Sequence, residues 1–349
     1  MRTAIARSIN SVFDPRTQSI KRAFIDLGLE CLIFDWSPEI STAPVSRFSK
    51  QRNFSIGLRQ LLPNLKFNYW LLRSLSQWQP QLIVCVDIDT FIGAILYKFF
   101  SIMKKRKVIL ILDVADSIAS KFTNRHLKVI LIQIEKTSML FADFVVFPSI
   151  NRVPLPHKIN IRVIENVFLE PATTIELRKL SKNKNSIYYG GLLLKDRGID
   201  KLLTLAQDSN IKIEIAGYGE MEESVRKAAQ NYSNIKFHGK VEFQELSGLR
   251  AQSAFSWCWY DQSSIENQNH ASGKILESLL VGSVPLTNVN RESLPTWYPE
   301  LGTDILFVNE VNFRWKILSY ENTNIRDLNP TAVKTTQKQY LELLAEIYG

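Results

Sequence analysis

Short apolar runs alternate with amphipathic stretches along nearly the whole chain. Residues 3–9, 31–34, 82–86, 108–112, 144–147 and 162–165 read as short extended segments, most of them apolar enough for a buried sheet. Between them, 14–27, 58–77, 91–103 and 127–141 carry apolar side chains at helical spacing. In the first of these helices Ile20, Ala23, Phe24 and Leu27 share one face and Gly28 is the stop; in the second, Pro63 is expected to break the helix. A polar stretch at 170–185, rich in Lys, Thr and Asn, interrupts the alternation. The pattern then restarts, with strands at 186–189, 212–216, 235–238, 254–259, 284–286 and 305–308. Helices are expected at 200–208, 221–231, 243–251 and 274–281, with a terminal helix at 330–348. Strands alternating with helices predict parallel sheets covered by helices, the α/β class. The break at 170–185 predicts two domains: 1–170, and 171–329 followed by a terminal helical segment, 330–349.

Composition fits this picture. The chain has 349 residues, 45% hydrophobic and 22% charged, enough for two buried cores and unlike disordered, collagenous or disulfide-scaffold chains. Cys31, Cys85 and Cys258 are odd in number, widely spaced and set among apolar residues. They are expected to be buried thiols in a reducing compartment, and no Cys/His spacing suggests zinc. Residues 1–13 lack the apolar stretch of a signal peptide. The most apolar windows, 82–100 and 127–147, are interrupted by Asp87, Asp89 and Lys98 and by Lys128, Glu135 and Lys136, so core elements are expected rather than membrane spans. These features lead to an expectation of a cytoplasmic protein. The formal charge of +9 is uneven: residues 1–170 hold 23 Lys/Arg against 13 Asp/Glu, and 171–349 hold 20 against 21. An anionic partner is therefore expected on the N-terminal half.

The segment 272–286 carries the sharpest chemistry. A polar loop, Ser272-Gly273, leads into a helix whose first turn bears Lys274 and whose next turn bears Glu277; Gly282 ends the helix and an apolar strand follows. A helix N-terminus offers unpaired N–H groups and partial positive charge, which suit a phosphate. Lys274 is poorly placed for the helix dipole unless an anion lies beside it. Glu277, on nearly the same face, could accept hydrogen bonds from a ribose diol. A surface Lys–Glu pair on an ordinary helix would read the same way from these residues alone.

The segment resembles the Pro-Asn-Lys-x-x-Glu-x-x-x-x-Gly-x-Pro loop–helix–strand of family-four retaining glycosyltransferases. Three other pieces match in order and spacing over about residues 186–290: Tyr188-Tyr189-Gly190-Gly191-Leu192 with Arg197-Gly198, Ala216-Gly217-Tyr218-Gly219, and Phe237-His238-Gly239-Lys240-Val241 with Glu245-Leu246. In the N-terminal half Asp14-Pro15-Arg16, Asp113-Val114-Ala115-Asp116, Glu135 with Ala142-Asp143, and Glu165-Asn166 are compatible but more diffuse. The resemblance implies the GT-B architecture, two Rossmann-like parallel-sheet domains facing across a cleft. The N-terminal domain would take the acceptor, the C-terminal domain the nucleotide sugar, and the terminal helix would pack back on the N-terminal domain.

By position, the resemblance implies that Lys274 contacts the diphosphate with Arg197 as a second cation. It implies that Glu277 holds the ribose hydroxyls, that Gly190 and Gly191 let the backbone approach the phosphates, and that Gly217 and Val241 border the base. Ser272 and Gly273 replace the family's Pro-Asn. Asn269 stands where many relatives carry a donor-sugar glutamate, so Glu266, or Asn269 with His270, would bind sugar hydroxyls instead. Gly191 stands where many relatives have a phosphate-binding arginine. Asp116 is the candidate for an acceptor-side contact, with helix capping as its alternative, and Asp87 and Asp89 carry the same pair of readings. Trp257, Trp259 and Tyr260 could line a sugar site or pack in the core.

The expected activity is hexosyl transfer from a UDP- or GDP-sugar to a glycan or lipid-linked acceptor in bacterial surface polysaccharide synthesis. It would be retaining, with no cofactor and no bound metal, the cations serving in place of one. A non-catalytic relative acting as a membrane or complex partner is the alternative. A nicotinamide-dependent oxidoreductase is disfavoured because no Gly-x-Gly-x-x-Gly follows the first strand. No nucleic-acid-binding motif is recognisable. The stretch Lys98–Lys107 mixes aromatic and basic residues and could rest on an anionic membrane, the inner face of the plasma membrane on this reading. Alternatively its aromatics pack inward and its basic end complements the helix dipole.

Overall fold

A computed structural model describes residues 1–9, 11, 14–36, 45–48, 61–115, 117, 125–149, 152, 159–208, 210–263, 267, 273–289, 305–309, 317 and 333–348. The chain divides into two compact units, Met1–Asn166 with Thr336–Gly349, and Val167–Thr335.

The N-terminal unit is built on seven strands: β1 (Arg2–Arg7), β2 (Glu30–Trp36), β3 (Val45–Phe48), β4 (Leu82–Val86), β5 (Ile109–Asp113), β6 (Phe144–Phe147) and β7 (Ile161–Val163). All pairings are parallel, in the order β3-β2-β1-β4-β5-β6-β7. β1 and β4 lie at the centre and are buried on both faces, which is why they read as unbroken apolar runs rather than alternating ones. Helices α1 (Pro15–Asp26), α2 (Leu61–Trp78), α3 (Phe91–Met103) and α4 (Arg125–Met139) connect them. α2, α3 and α4 pack through Phe67, Leu71, Phe91, Tyr97 and Met139 on one face. α1 packs through Ile20, Ala23 and Phe24 on the other, together with Tyr340, Leu343 and Leu344 of the chain's last helix, Thr336–Tyr348.

The C-terminal unit repeats the plan with β8 (Asn183–Leu192), β9 (Lys212–Tyr218), β10 (Ile235–Phe237), β11 (Ser253–Cys258), β12 (Val284–Thr287) and β13 (Leu306–Phe307), again parallel, in the order β10-β9-β8-β11-β12-β13. Its helices include α5 (Pro171–Arg178), α6 (Ile199–Thr204), α7 (Glu222–Asn231), α8 (Phe243–Gln252) and the helix Gly273–Leu280. In each sheet the strand order reverses direction once, between β1 and β4 and between β8 and β11. Sheets of this kind bind ligands at the carboxyl ends of the strands beside such a reversal.

Several expectations are corrected. The polar stretch 170–185 contains α5 and the first residues of β8, and the units part at Asn166, a few residues before the boundary expected at 170. Pro63 does not break α2, because it falls in the helix's first turn, where a missing N–H has no intrahelical partner to lose. The helix expected over 200–208 is α6, starting at Ile199 and passing into a 3₁₀ turn at Leu205–Gln207. β3 was not foreseen. Among the described residues no helix is long and apolar enough to cross a membrane.

Candidate functional site

The reversal point of the C-terminal sheet brings three pieces of chain together: the end of β8 with the loop through Arg197, the residues after β11, and the start of the Gly273–Leu280 helix that follows β11. Lys274, in that helix's first turn, reaches across to the end of β8. Its Nζ lies 4.5 Å from the centroid of the Tyr189 ring, and a Cβ placed on Gly191 would be 2.8 Å from it. Gly191 also has φ +134°, which disfavours any side chain there. A side chain at position 191 thus has neither a suitable backbone nor room beside Lys274 as it stands. Gly217, opposite Gly191 in the β8–β9 ladder, has φ +149°; a Cβ there would meet the Gly191 carbonyl oxygen at 1.8 Å. The two glycines keep the carboxyl ends of β8 and β9 bare backbone.

Arg197 is held from three sides. Its guanidinium donates to Asp196 at 3.0 Å and to Asn267 at 3.1 Å, and its Cζ lies 4.9 Å from the centroid of the Tyr260 ring. Its carbonyl accepts a hydrogen bond from Trp257 Nε1 at 3.1 Å. Burial, with Arg197 next in weight and Arg250 also contributing, pushes the Lys274 ammonium down to about 7. An anion placed beside this lysine would favour its charged form and raise the value again.

One turn along the helix, Glu277 is only 3% exposed. Its Oε2 accepts from Arg250 of α8 at 2.5 Å, an ion pair with both partners buried. Its Oε1 is also buried and has no hydrogen-bond partner among the described residues, and the same holds for the Tyr188 hydroxyl, whose ring lies 5.7 Å from the Arg250 guanidinium. Buried polar atoms without partners are rare in native proteins and point to a ligand or bound water. Burial pushes the Glu277 carboxyl up, and Arg250 and then Lys274 partly offset it.

The opposite end of the helix is closed. Gly282, at φ +74°, follows it; the Gly282 N–H bonds to the Leu279 carbonyl at 3.0 Å and the Ser283 N–H to Ser278 at 2.8 Å. Arg178 donates to the Leu280 carbonyl at 2.5 Å, and Lys182 to those of Val281 and Ala251 at 2.9 Å each. Two cations therefore complement the negative end of the helix dipole, and the positive end is directed at the site.

The structure thus brings together Lys274, Arg197, Glu277, Gly190, Gly191 and Gly273. Gly217 borders them through β9, and its N–H bonds to the Gly239 carbonyl at 2.7 Å, two residues before the half-buried Val241. Asp116, Glu266, Asn269, His270 and Ser272 lie outside the described residues. Trp257, Trp259 and Tyr260 are all buried, the two indoles stacked at 5.4 Å, so they support the Arg197 loop rather than offering an open sugar platform. Arg250 was missed; an arginine in α8 between Leu249 and Ala251 was its only signal.

In the N-terminal unit Asp87 caps no helix with its side chain: Arg7 Nη1 donates to it at 2.5 Å and the Ala115 N–H at 3.0 Å. Asp113 receives both Nε and Nη2 of Arg16 at 2.7 and 2.9 Å, and the Tyr340 hydroxyl. Lys98 is bound to Asp143 at 2.7 Å, so it is not a free membrane-facing cation. Cys85 and Cys258 are buried and Cys31 half-buried.

No protein-family model and no curated protein matches the chain. Solved structures do. Sucrose-phosphate synthase from Thermosynechococcus elongatus aligns over 100% of this chain and 95% of that one, with a TM-score of 0.63 at 13% identity. UDP-N-acetylglucosamine 2-epimerase from Rickettsia bellii aligns over 100% and 96%, with 0.62 at 12%. The lipopolysaccharide outer core galactosyltransferase WaaB, in its apo form, aligns over 100% and 99%, with 0.59 at 13%. The chain has the α/β fold of the GT-B glycosyltransferases along its whole length.

Proposed function

We propose that this protein is a glycosyltransferase that takes a hexose from a nucleoside-diphosphate sugar and passes it to a glycan or lipid-linked acceptor. One observation carries the reading. At the reversal point of the C-terminal sheet, two cations stand at the open end of a helix, and one turn along it is a buried carboxylate with an unused oxygen. Lys274, Arg197 and the helix N-terminus suit a diphosphate; Glu277 Oε1 suits a ribose hydroxyl. Neighbours named as a galactosyltransferase and as an epimerase of a UDP-sugar support a nucleotide-sugar ligand.

The chemistry follows from charge. Cleaving the sugar–phosphate bond leaves a cation-like sugar and a diphosphate with growing negative charge. Lys274 and Arg197, fixed before the reaction begins, stabilise that charge without reorganising. Arg250 holds one oxygen of Glu277, leaving the other to fix the ribose and hence the diphosphate. The acceptor hydroxyl attacks the anomeric carbon as that carbon's bond to the diphosphate oxygen breaks, and its proton passes to the departing diphosphate. Retention of configuration, independence from metal and a place in surface polysaccharide synthesis belong to this reading through the sequence resemblance.

The test is transfer of radiolabelled sugar from UDP- and GDP-sugars into a bacterial membrane or polysaccharide extract. The wild type is expected to label the extract and Lys274→Ala to lower the rate at least about 100-fold, the scale of losing one preorganised charge donor. Tight nucleotide binding with no transfer to any extract would favour the non-catalytic alternative.

A further inference from the structure

α3 buries Phe91, Ala94, Tyr97 and Ser101. Its opposite side is not polar. Ile92, Leu96, Phe99, Phe100 and Met103 fall at i, i+4, i+7, i+8 and i+11, one continuous stripe, and all are exposed. Phe99 is 58% exposed and Met103 67%, large fractions for side chains of this kind. The stripe continues past the helix: Leu140 and Phe141, in the turn after α4, are exposed, and Lys98 Nζ lies 3.4 Å from the Phe141 carbonyl oxygen. Exposed apolar patches of this extent on a folded unit mark a contact surface.

At the end of the stripe the chain turns sharply. Lys105 has φ +57°, and the Ser101 carbonyl accepts the N–H groups of both Lys104 and Arg106. Lys104, Lys105, Arg106 and Lys107 are all exposed, and no carboxylate among the described residues pairs with any of them. The apolar stripe and an uncompensated cationic cluster thus lie side by side, on the half of the chain that holds the whole excess of positive charge.

We infer that this face of α3, with the turn after α4, docks on an anionic lipid bilayer. An apolar protein partner would account for the stripe alone, and a polyanion for the cations alone. A bilayer surface takes both, with Phe99, Phe100 and Met103 at the acyl boundary and the ammonium and guanidinium groups at lipid phosphates. The inference is independent of the nucleotide site; it adds where the protein works, and suits an acceptor anchored in lipid.

The full chain is sedimented with phosphatidylcholine vesicles and with vesicles also containing phosphatidylglycerol. The wild type is expected to bind the anionic vesicles and to be released by salt. Two variants are compared: Phe99→Ser with Phe100→Ser and Met103→Ser, and Lys104, Lys105, Arg106 and Lys107 each changed to Glu. Each is expected to lose roughly tenfold or more in binding while keeping the wild-type Tm and nucleotide affinity, since the altered side chains are exposed and far from Lys274 in sequence. Failure of the wild type to bind anionic vesicles would overturn the inference. So would binding that survives both variants, or a self-association that the Phe99→Ser set abolishes, which would assign the stripe to a second copy of the chain.

Discussion

Lys274 has an ammonium that the fold makes costly to keep charged. Burial takes away its water, and Arg197 and Arg250 stand near it. Its pKa is depressed to about 7, and a bound diphosphate would raise it again. The sign of the consequence is fixed. Between about pH 7 and 9 a nucleoside diphosphate is already fully ionised, whereas the free site is losing its proton, so binding must take one up. Affinity is expected to bend downward around pH 7 and to fall towards about tenfold per pH unit above it. Calorimetry at pH 8 in two buffers of different ionisation enthalpy would show proton uptake, and Lys274→Arg would remove it. Constant wild-type affinity across that range would contradict this picture of the site.

The Gly273–Leu280 helix acts as a unit because both of its ends are controlled. Gly282, Arg178 and Lys182 close its C-terminal end, and Arg250 ties its middle to α8 through Glu277. Breaking one half of a buried ion pair leaves the other charge without compensation. Arg250→Met is therefore expected to destabilise the protein by about 3–5 kcal/mol. Arg250→Met combined with Glu277→Leu should recover much of that loss, since neither charge is then buried, while leaving nucleotide binding impaired. Urea unfolding of the three proteins measures this; a single variant as stable as the double one would show that the pair is not buried as described.

At this scale the sequence was informative where periodicity was strong. The central strands, α3, α7, α8 and the site helix all fall within a few residues of their expected places. Pairings between distant residues were not legible. Nothing in the order of residues announces that Arg16 would take Asp113 or that Arg250 would take Glu277, because those contacts exist only once the sheets and helices have assembled. β3, four residues at a sheet edge, was too short to carry a pattern. The 170–185 stretch is polar because α5 is an exposed helix with one fully buried residue, Thr174.

The whole molecule is two units of one plan, each with a single reversal of strand order, and the last helix returns to the first unit. Tyr340, Leu343 and Leu344 join the core of α1 there, Thr336 Oγ1 donates to the Glu165 carbonyl at 2.7 Å, and the Tyr340 hydroxyl meets Asp113. The chemistry is divided in the same way. The candidate nucleotide site depends on a few local cations in the nearly neutral C-terminal half, and the excess positive charge lies on the other half with the apolar stripe of α3. The central claim is that the C-terminal reversal point binds a nucleoside diphosphate. Its most direct test is a thermal-shift screen of the full chain against UDP, GDP, ADP and NAD, with Lys274→Ala alongside. The account predicts that at least one nucleoside diphosphate raises the wild-type Tm, that NAD does not, and that Lys274→Ala abolishes the shift; no shift with any nucleoside diphosphate, or one that persists in Lys274→Ala, would contradict it.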